Sequence, residues 1–258
     1  MTILEEIIAK KRIEIQERKS ILSISGLERN EMFGKTCLSM ENSLETSASG
    51  IIAEFKRKSP SKGWIHPDAD VNGITASYSR NGASGISILT DFPYFGGTLD
   101  DLINARQAIT CPVLRKDFMI DEYQIFEAKS CGADIILLIA AALTTGECKT
   151  LARRARELGL ETLLEVHNAD ELGHINEFIN IVGVNNRNLK TFEVSIDISF
   201  SLAMQIPPGF IKISESGISN PSTVKELREA GYKGFLMGEN FMKEKNPAEA
   251  LKNFIAAL

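Results

Sequence analysis

Eight short apolar runs recur along the chain, and their spacing constrains the fold more than any other feature of the sequence. Several of them are apolar at consecutive positions, which is typical of parallel strands that are buried on both faces. The intervals between the runs are long enough for a helix and its turns, so the pattern predicts alternating strands and helices. The runs are residues 51–55, 86–90, 113–116, 134–139, 161–166, 181–184, 211–214 and 234–237.

Helix start and stop signals lie between these runs. Thr144 and Glu147 have the spacing of a capping box, and Gly159 stands where the helix that they open would end. Asn220 and Pro221 place an N-cap residue before a proline at the first helical position. Eight strand–helix units predict an α/β fold of the closed (β/α)8 or TIM-barrel type; a doubly wound open sheet is the alternative.

Residues 1–49 precede the first predicted strand and carry a helical pattern of their own. An apolar stripe near the start is followed by the charged run Lys10-Lys11-Arg12, which predicts an extra helix lying against the barrel. Segment 39–50 is rich in Ser, Thr and Glu and predicts a polar loop. We therefore expect an N-terminal helical extension, residues 1–49, on a catalytic barrel, residues 50–258, within one domain overall.

The charge and the cysteine content exclude several classes of protein. A net charge of -5 and a pI of about 5.4 argue against a nucleic-acid surface. The four cysteines show no metal-binding spacing and are typical of reduced thiols in a cytoplasmic protein. No apolar run is long enough to cross a membrane, and the acidic start is unlike a signal peptide. The expectation is a cytoplasmic monomer or weak homo-oligomer without a metal site.

Polar side chains cluster at the carboxyl ends of the predicted strands, which in a barrel face one side and carry the active site. For any single residue the simpler interpretation is a solvated charge at a loop start. However, Lys56, Lys116 and Glu165 each follow an apolar run closely, and the set as a whole predicts a site for an anionic substrate. Its members are Glu54, Lys56, Asp91, Lys116, Glu165, Asn185, Arg187, Glu215 and Ser216.

Two glycine-containing loops follow the seventh and eighth predicted strands. Gly217 and Gly238 would let backbone N–H groups approach an anion closely, and these two loops commonly bind phosphate in such barrels. Ser59 and Lys58, in the loop after the first strand, are further candidates. The pattern predicts a phosphate site on this part of the rim.

Aromatic and histidine side chains also occur near the rim. Phe95 and Phe118 would either pack in the core or contact a flat aromatic substrate. The three histidines show no metal spacing. His167 lies two residues after Glu165, and we interpret it as structural rather than catalytic.

Taken in order, these segments resemble the indole-3-glycerol phosphate synthase family. The matching strings follow the family's order, and the amino-terminal extension is also similar. The first and third strings are highly specific, whereas the glycine loops are not. The strings are EFKRKSPS (54–61), YFGG (94–97), LRKDF (114–118), LLEVH (163–167), VNNRNL (184–189) and SESGI (214–218).

The resemblance implies a reaction without a cofactor. The substrate would be 1-(2-carboxyphenylamino)-1-deoxyribulose 5-phosphate, and the products indole-3-glycerol phosphate, carbon dioxide and water. The aromatic carbon that bears the carboxylate would attack the ribulose carbonyl, and decarboxylation and dehydration would complete the indole. The implied partner is thus a phosphorylated small molecule of tryptophan biosynthesis.

The resemblance also implies roles for individual residues. Lys116 matches the general acid, with a pKa that burial or neighbouring cations would lower, and Glu165 matches the base of the later proton removal. Lys56 matches a lysine that contacts the substrate carboxylate, and Glu54 matches its charge partner. Asn185 and Arg187 match residues that position Glu54 and the substrate, and Glu215 and Ser216 match substrate contacts. The phosphate cradle would comprise Ser59, Gly217, Gly238 and the N–H of Glu239; the walls around the anthranilate ring would comprise Phe95, Phe118, Leu137, Leu138 and Leu189.

Two other interpretations compete with this one. The first is another phosphoribosyl barrel, such as an isomerase of a related aminodeoxyribulose, but a rim with both Lys56 and Lys116 is unlike the paired acid and base of those enzymes. The second is a non-catalytic barrel that binds phosphorylated ligands. Loss of a catalytic residue would mark such a protein, and Lys116 and Glu165 are both present.

Overall fold

Eight parallel strands pair in sequence order and close on themselves, since the last strand pairs with the first. The computed structural model describes residues 2–258. A closed ring leaves no strand edge, so the open-sheet alternative is wrong and the (β/α)8 barrel prediction is confirmed. The strands are β1 Ile51–Phe55, β2 Gly85–Leu89, β3 Val113–Lys116, β4 Ile135–Ile139, β5 Glu161–Val166, β6 Ile181–Asn185, β7 Ile211–Glu215 and β8 Gly234–Met237.

Helices connect the strands and surround the barrel. After β5 the connection is a 3-10 helix, Ala169–His174, and a short 3-10 turn, Ala140–Ala142, follows β4. A two-stranded hairpin, Lys58–Ser59 with Gly63–Trp64, lies in the loop after β1. The α-helices are α1 Ile3–Ile21, α2 Ile24–Leu27, α3 Met40–Thr46, α4 Val71–Arg80, α5 Phe92–Phe95, α6 Leu99–Arg106, α7 Glu122–Ser130, α8 Thr145–Glu157, α9 Asp197–Leu202, α10 Pro221–Glu229, α11 Glu239–Met242 and α12 Pro247–Ala256.

The predicted helix start and stop signals are confirmed at the ends of α8 and at the start of α10. The Thr144 hydroxyl accepts the N–H of Glu147, whose carboxylate in turn accepts the N–H of Thr144, so α8 begins with a complete capping box. Gly159 adopts a left-handed conformation just after this helix. The Asn220 side chain caps α10, with Pro221 at its first position. These contacts are local, which is why the sequence specifies them.

The core has two layers because side chains alternate between the faces of each strand. On β4, Leu137 packs with residues of other strands inside the barrel, whereas Ile136 and Leu138 pack outward against the helices. Met40 and Leu44 of α3 join the inner layer and plug the barrel at the strands' amino ends.

The prediction of a polar loop over residues 39–50 is therefore wrong for α3. The Ser39 hydroxyl caps the helix. The Glu161 carboxylate, at the start of β5, accepts hydrogen bonds from the N–H groups of Met40 and Glu41 at 2.8 and 3.0 Å. A negative charge at the start of a helix stabilises the helix. This partner lies more than a hundred residues away in the sequence, so local composition could not reveal it.

Helix α1 lies against the carboxyl ends of the strands, as expected of an added helix. Its Lys11 is only 2% exposed, although the sequence places it in a charged run. The ammonium contacts Asp91 after β2 at 2.9 Å and Asp117 after β3 at 3.0 Å, and Glu14 of α1 at 2.8 Å. This buried cluster joins the extension to the rim of the barrel. Within residues 2–258 no helix combines the length and the apolar character that a bilayer span requires.

We expect Lys11→Met to lower the free energy of unfolding by about 3–5 kcal/mol, because it leaves buried carboxylates without their cation. Lys10→Met is the matched control, since Lys10 is exposed and its pair with Glu6 lies in solvent, so its loss should change the free energy of unfolding little. Urea unfolding followed by circular dichroism compares the two variants. Similar losses in both would show that the Lys11 cluster does not anchor α1.

Candidate active site

A cavity of about 550 Å³ opens at the carboxyl ends of the strands, where the ionisable residues were predicted to converge. Ile3, Leu4 and Ile7 of α1 contribute to its wall, so the extension takes part in the site. The predicted site residues that line it are Glu54, Lys56, Ser59, Phe95, Lys116, Phe118, Leu137, Glu165, Asn185, Arg187, Leu189, Glu215, Ser216, Gly217, Gly238 and Glu239.

One predicted wall residue is misplaced. Leu138 is fully buried in the outer layer, between the barrel and its helices, and does not line the cavity. Its neighbour Leu137 does. Successive side chains of a strand point to opposite faces, so the two leucines cannot both face the substrate.

Lys116, the last residue of β3, lies between two carboxylates from across the barrel. Its ammonium is 3.0 Å from Oε2 of Glu165 and 2.7 Å from Oε2 of Glu215. Burial would lower the pKa of this ammonium, but the surrounding carboxylates outweigh burial and hold the pKa of Lys116 well above its usual range. The expectation of a lowered pKa is wrong for the free protein, in which Lys116 is a firmly held ammonium.

The two carboxyl groups around Lys116 differ in proton affinity. Burial opposes ionisation of Glu165, but the charge of Lys116 and the contact with His167 hold the pKa of Glu165 well below its usual range. Burial and the nearby charge of Glu165 instead raise the pKa of Glu215 to about 7. Environments that push the pKa values of neighbouring groups apart are a feature of acid–base sites.

Glu54 and Lys56 form a second ion pair, at 2.8 Å, on the β1 side of the cavity. Gly238, at the end of β8, packs directly against this carboxylate. A Cβ at position 238 would lie 2.7 Å from Oε1 of Glu54. The glycine therefore makes room for Glu54, and our expectation that its missing side chain serves mainly the anion needs correction.

Asn185 also differs from its expected role. Among the hydrogen bonds made within residues 2–258, its side chain accepts one from the N–H of Arg187 at 3.0 Å, and none joins it to Glu54. The guanidinium of Arg187 donates to the carbonyl of Phe192 at 3.2 Å. Asn185 thus orients the loop after β6, and Glu54 takes its position from Lys56.

The loop after β7 has the backbone of an anion site. Ser216 and Gly217 have φ angles of 66° and 77°, both left-handed. Such a conformation is costly for serine and is found mainly at functional sites. Ser59, from the first loop, is buried and lines the same cavity. The Glu239 carboxylate lies 3.9 Å from the guanidinium of Arg187.

Sequence reasoning missed several residues of the site. Lys62 and Lys243 line the cavity and add positive charge to the predicted phosphate region. His167 lies beside the catalytic candidates, with Nε2 3.3 Å from Oε1 of Glu165. The lysines gave no signal because they stand in ordinary polar loops. The position of His167, two residues after Glu165, was the signal that could have indicated this contact.

The apolar wall is formed by residues distant in sequence. The rings of Phe95 and Phe118 lie 6.2 Å apart at an angle of 39°. Together with Leu137 and Leu189 they line the same cavity as the ionic groups. A cavity lined by aromatic side chains, four lysines, an arginine and five carboxylates suits an amphipathic, anionic substrate. Fold and site together define a TIM-barrel enzyme of the acid–base type.

Comparison with known proteins identifies the family. A family model described as indole-3-glycerol phosphate synthase matches residues 4–254, so the chain belongs to the indole-3-glycerol phosphate synthase family. A relative of that name from Bacteroides thetaiotaomicron is 52% identical over 256 residues, which cover 99% of this chain and 98% of that protein. Another from Laribacter hongkongensis is 44% identical over 260 residues, covering 98% and 99%.

Similar solved structures support the fold. Tryptophan synthase subunit alpha from Legionella pneumophila aligns with a TM-score of 0.62 at 15% identity, over 84% of this chain and 95% of that one. A chain of the tryptophan synthase complex from Pyrococcus furiosus aligns with a TM-score of 0.61 at 16% identity, over 81% and 97%. At such low identity these likenesses concern the barrel alone.

Proposed function

We propose that the protein converts 1-(2-carboxyphenylamino)-1-deoxyribulose 5-phosphate into indole-3-glycerol phosphate, carbon dioxide and water. The observation that carries this proposal is the Lys116 ammonium held between Glu165 and Glu215 in a cavity with an aromatic wall. The test is an assay of the purified protein with this substrate, in the presence of a chelator, following indole fluorescence and product mass. Absence of product would contradict the proposal.

Lys116 would act first, as the general acid. When the aromatic carbon attacks the ribulose carbonyl, a carbon–carbon bond forms and the carbonyl electrons move to oxygen. An ammonium beside this oxygen stabilises the growing negative charge and then transfers its proton. A firmly held proton suits this order of events, because an alkoxide is basic enough to remove it. Loss of carbon dioxide then restores the aromatic ring.

Dehydration would use the other ionic groups. Lys56, which is paired with Glu54, would contact the substrate carboxylate at first and would later give a proton to the departing hydroxyl group. Glu165 is ionised and accepts the proton that must leave for the indole double bond to form. Glu215 shares the Lys116 ammonium and, with a pKa raised to about 7, exchanges a proton near neutral pH. Each step conserves charge within the cavity.

The phosphate would bind at the loops after β7 and β8, with Ser59 on the opposite side. Left-handed residues at Ser216 and Gly217 favour backbone N–H groups that point together, as in other anion sites. Lys62 and Lys243 supply positive charge at the mouth. Crystals grown in phosphate should show the anion in this region.

We expect Ser59→Ala to raise KM about ten-fold and to leave kcat nearly unchanged, because a hydrogen bond to a charged group is worth roughly 1.5–3 kcal/mol. Steady-state kinetics with the phosphorylated substrate measure the change. The control is the dephosphorylated substrate, for which wild type and variant should differ little. An equal loss on both substrates would place the phosphate elsewhere.

The cellular setting remains a prediction. The four cysteines are free thiols in the structure, which supports a reducing compartment and hence the cytoplasm. We propose a monomer or weak homo-oligomer, and light scattering across a range of protein concentrations tests this.

A further inference from the structure

His167 contacts the candidate base from the side opposite Lys116. Oε2 of Glu165 lies 3.0 Å from the Lys116 ammonium, and Oε1 lies 3.3 Å from Nε2 of His167. Each oxygen of the carboxylate therefore has its own cationic or potentially cationic neighbour. Rotation of this carboxylate would break both contacts, so the pair of neighbours defines its orientation.

Glu171 contacts the His167 ring on the side that faces away from Glu165. Nδ1 lies 3.1 Å from Oε2 of Glu171, in the 3-10 helix after β5, and the same oxygen accepts the N–H of His167 at 2.8 Å. The other oxygen of Glu171 accepts the Asn168 amide at 2.8 Å. Glu171 is thus a fixed anion, not a freely moving surface group. The contacts form a continuous row from Glu171 through His167 and Glu165 to Lys116.

Both ring nitrogens of His167 face carboxylate oxygens. A neutral imidazole has one N–H, so its other nitrogen would present a lone pair to an anion; the protonated ring presents an N–H to each. The side chain is nine-tenths buried, so water does not screen these charges. Burial opposes protonation, but the hydrogen bond with Glu171 and the negative charges of Glu165 and Glu171 outweigh it and raise the pKa of His167 to about 10.

The other groups near His167 do not change the protonation state of its ring. Lys116 from β3 and Glu215 from β7 lie beyond Glu165, on its far side. The adjacent turn Ala140–Ala142 after β4 carries no charge. The ring charge is therefore set by its two carboxylate partners.

We propose that His167 is a positioning residue for the reaction: as an imidazolium braced by Glu171, it orients Glu165 toward Lys116 and keeps that carboxylate ionised. This inference rests on the proposed function, in which Glu165 is the base. Without the imidazolium, Glu165 would take up a proton more readily. An enzyme without the imidazolium would therefore lose activity at a higher pH than wild type as the pH is lowered.

The kinetic test uses His167→Gln, which keeps a polar side chain and removes the charge. We expect the acid limb of kcat/KM, which reports the free enzyme, to move upward by about one pH unit or more, equivalent to about ten-fold lower activity on that limb. The substrate ionises identically for both proteins, so the difference belongs to the enzyme. The matched control is His174→Gln, because His174 bonds only backbone carbonyls, of Leu143 and Glu171, and should leave the profile in place.

The second test does not depend on activity. The chain has three histidines, so the ring signal of His167 in protein labelled at histidine can be assigned by elimination, with His66→Gln and His174→Gln, and titrated directly by NMR. His167 should remain protonated well above pH 7 in wild type, and Glu171→Gln should lower its pKa. This titration decides the ring charge even if the variant folds poorly or the proposed reaction is wrong.

Two results would overturn the inference. One is a titration of His167 near the value of a free imidazole, about 6.5. The other is a superimposable pH profile for folded His167→Gln and wild type. Failure of the proposed function would instead appear as wild-type protein that makes no indole product, whatever the histidine titration shows.

Discussion

Lys116→Ala is expected to lower kcat by about 10³–10⁴-fold, the largest loss of any single substitution in the site. General acid catalysis by a placed group is worth roughly 10²–10⁴-fold, and the lost charge beside the developing oxyanion adds to this. The ammonium has no substitute at this place, because the groups that it contacts, Glu165 and Glu215, are both carboxylates. Single-turnover kinetics with the carboxyphenylamino substrate measure the change.

Lys212→Ala is the matched control for this substitution. Lys212 is also a strand lysine, on β7, but its ammonium donates to the carbonyl of Ala203 at 2.8 Å and does not line the cavity. It should retain nearly full kcat. Lys116→Ala should still bind a product analogue, since the apolar wall and the phosphate loops are unchanged. Retention of more than about a tenth of wild-type kcat would rule out Lys116 as the general acid.

Glu165→Gln should lower kcat by about 10²–10³-fold with little change in KM. Glutamine keeps the shape of the side chain but cannot accept the proton, so the loss falls in the transition state and not in substrate binding. Lys116 keeps Glu215 as a partner in this variant, at 2.7 Å, so the fold should survive. Steady-state kinetics separate the two parameters.

Glu161→Gln is the matched control on the same strand. Glu161 stands at the opposite end of β5, where its carboxylate binds the start of α3. Because Glu161→Gln leaves the active site intact, we expect it to have a normal kcat. Its unfolding temperature should be lower, because the amino-terminal face of a barrel contributes to stability. A defect of Glu165→Gln confined to KM would make Glu165 a binding residue.

Local patterns accounted for most of the architecture. Buried parallel strands need continuous apolar runs, and helices need capped ends. Both features can therefore be recognised in a sequence segment of a few residues. The capping box of α8 and the N-cap of α10 could be predicted for that reason. Polar residues at strand ends could be assigned to one site because a closed parallel barrel brings those ends together.

Contacts between distant segments could not be predicted in this way. Lys11 belongs to a charged run, yet Asp91 and Asp117 make it a buried anchor. Lys116 has a raised pKa because carboxylates reach it from across the barrel, whereas burial or neighbouring cations were expected to lower it. The difference arises because the electrostatic environment depends on distances of a few ångströms between residues far apart in the chain.

The sequence by itself determined the barrel and most of the ionisable residues that line the cavity, because strand periodicity and the polar residues at strand ends can be recognised within short segments. The tertiary structure alone decided which of Leu137 and Leu138 faces the cavity, since one step along a strand reverses the side. It also decided that Gly238 makes room for Glu54 and that His167 lies against Glu165. These relations depend on strand register and on side-chain packing across the barrel, which no single segment encodes.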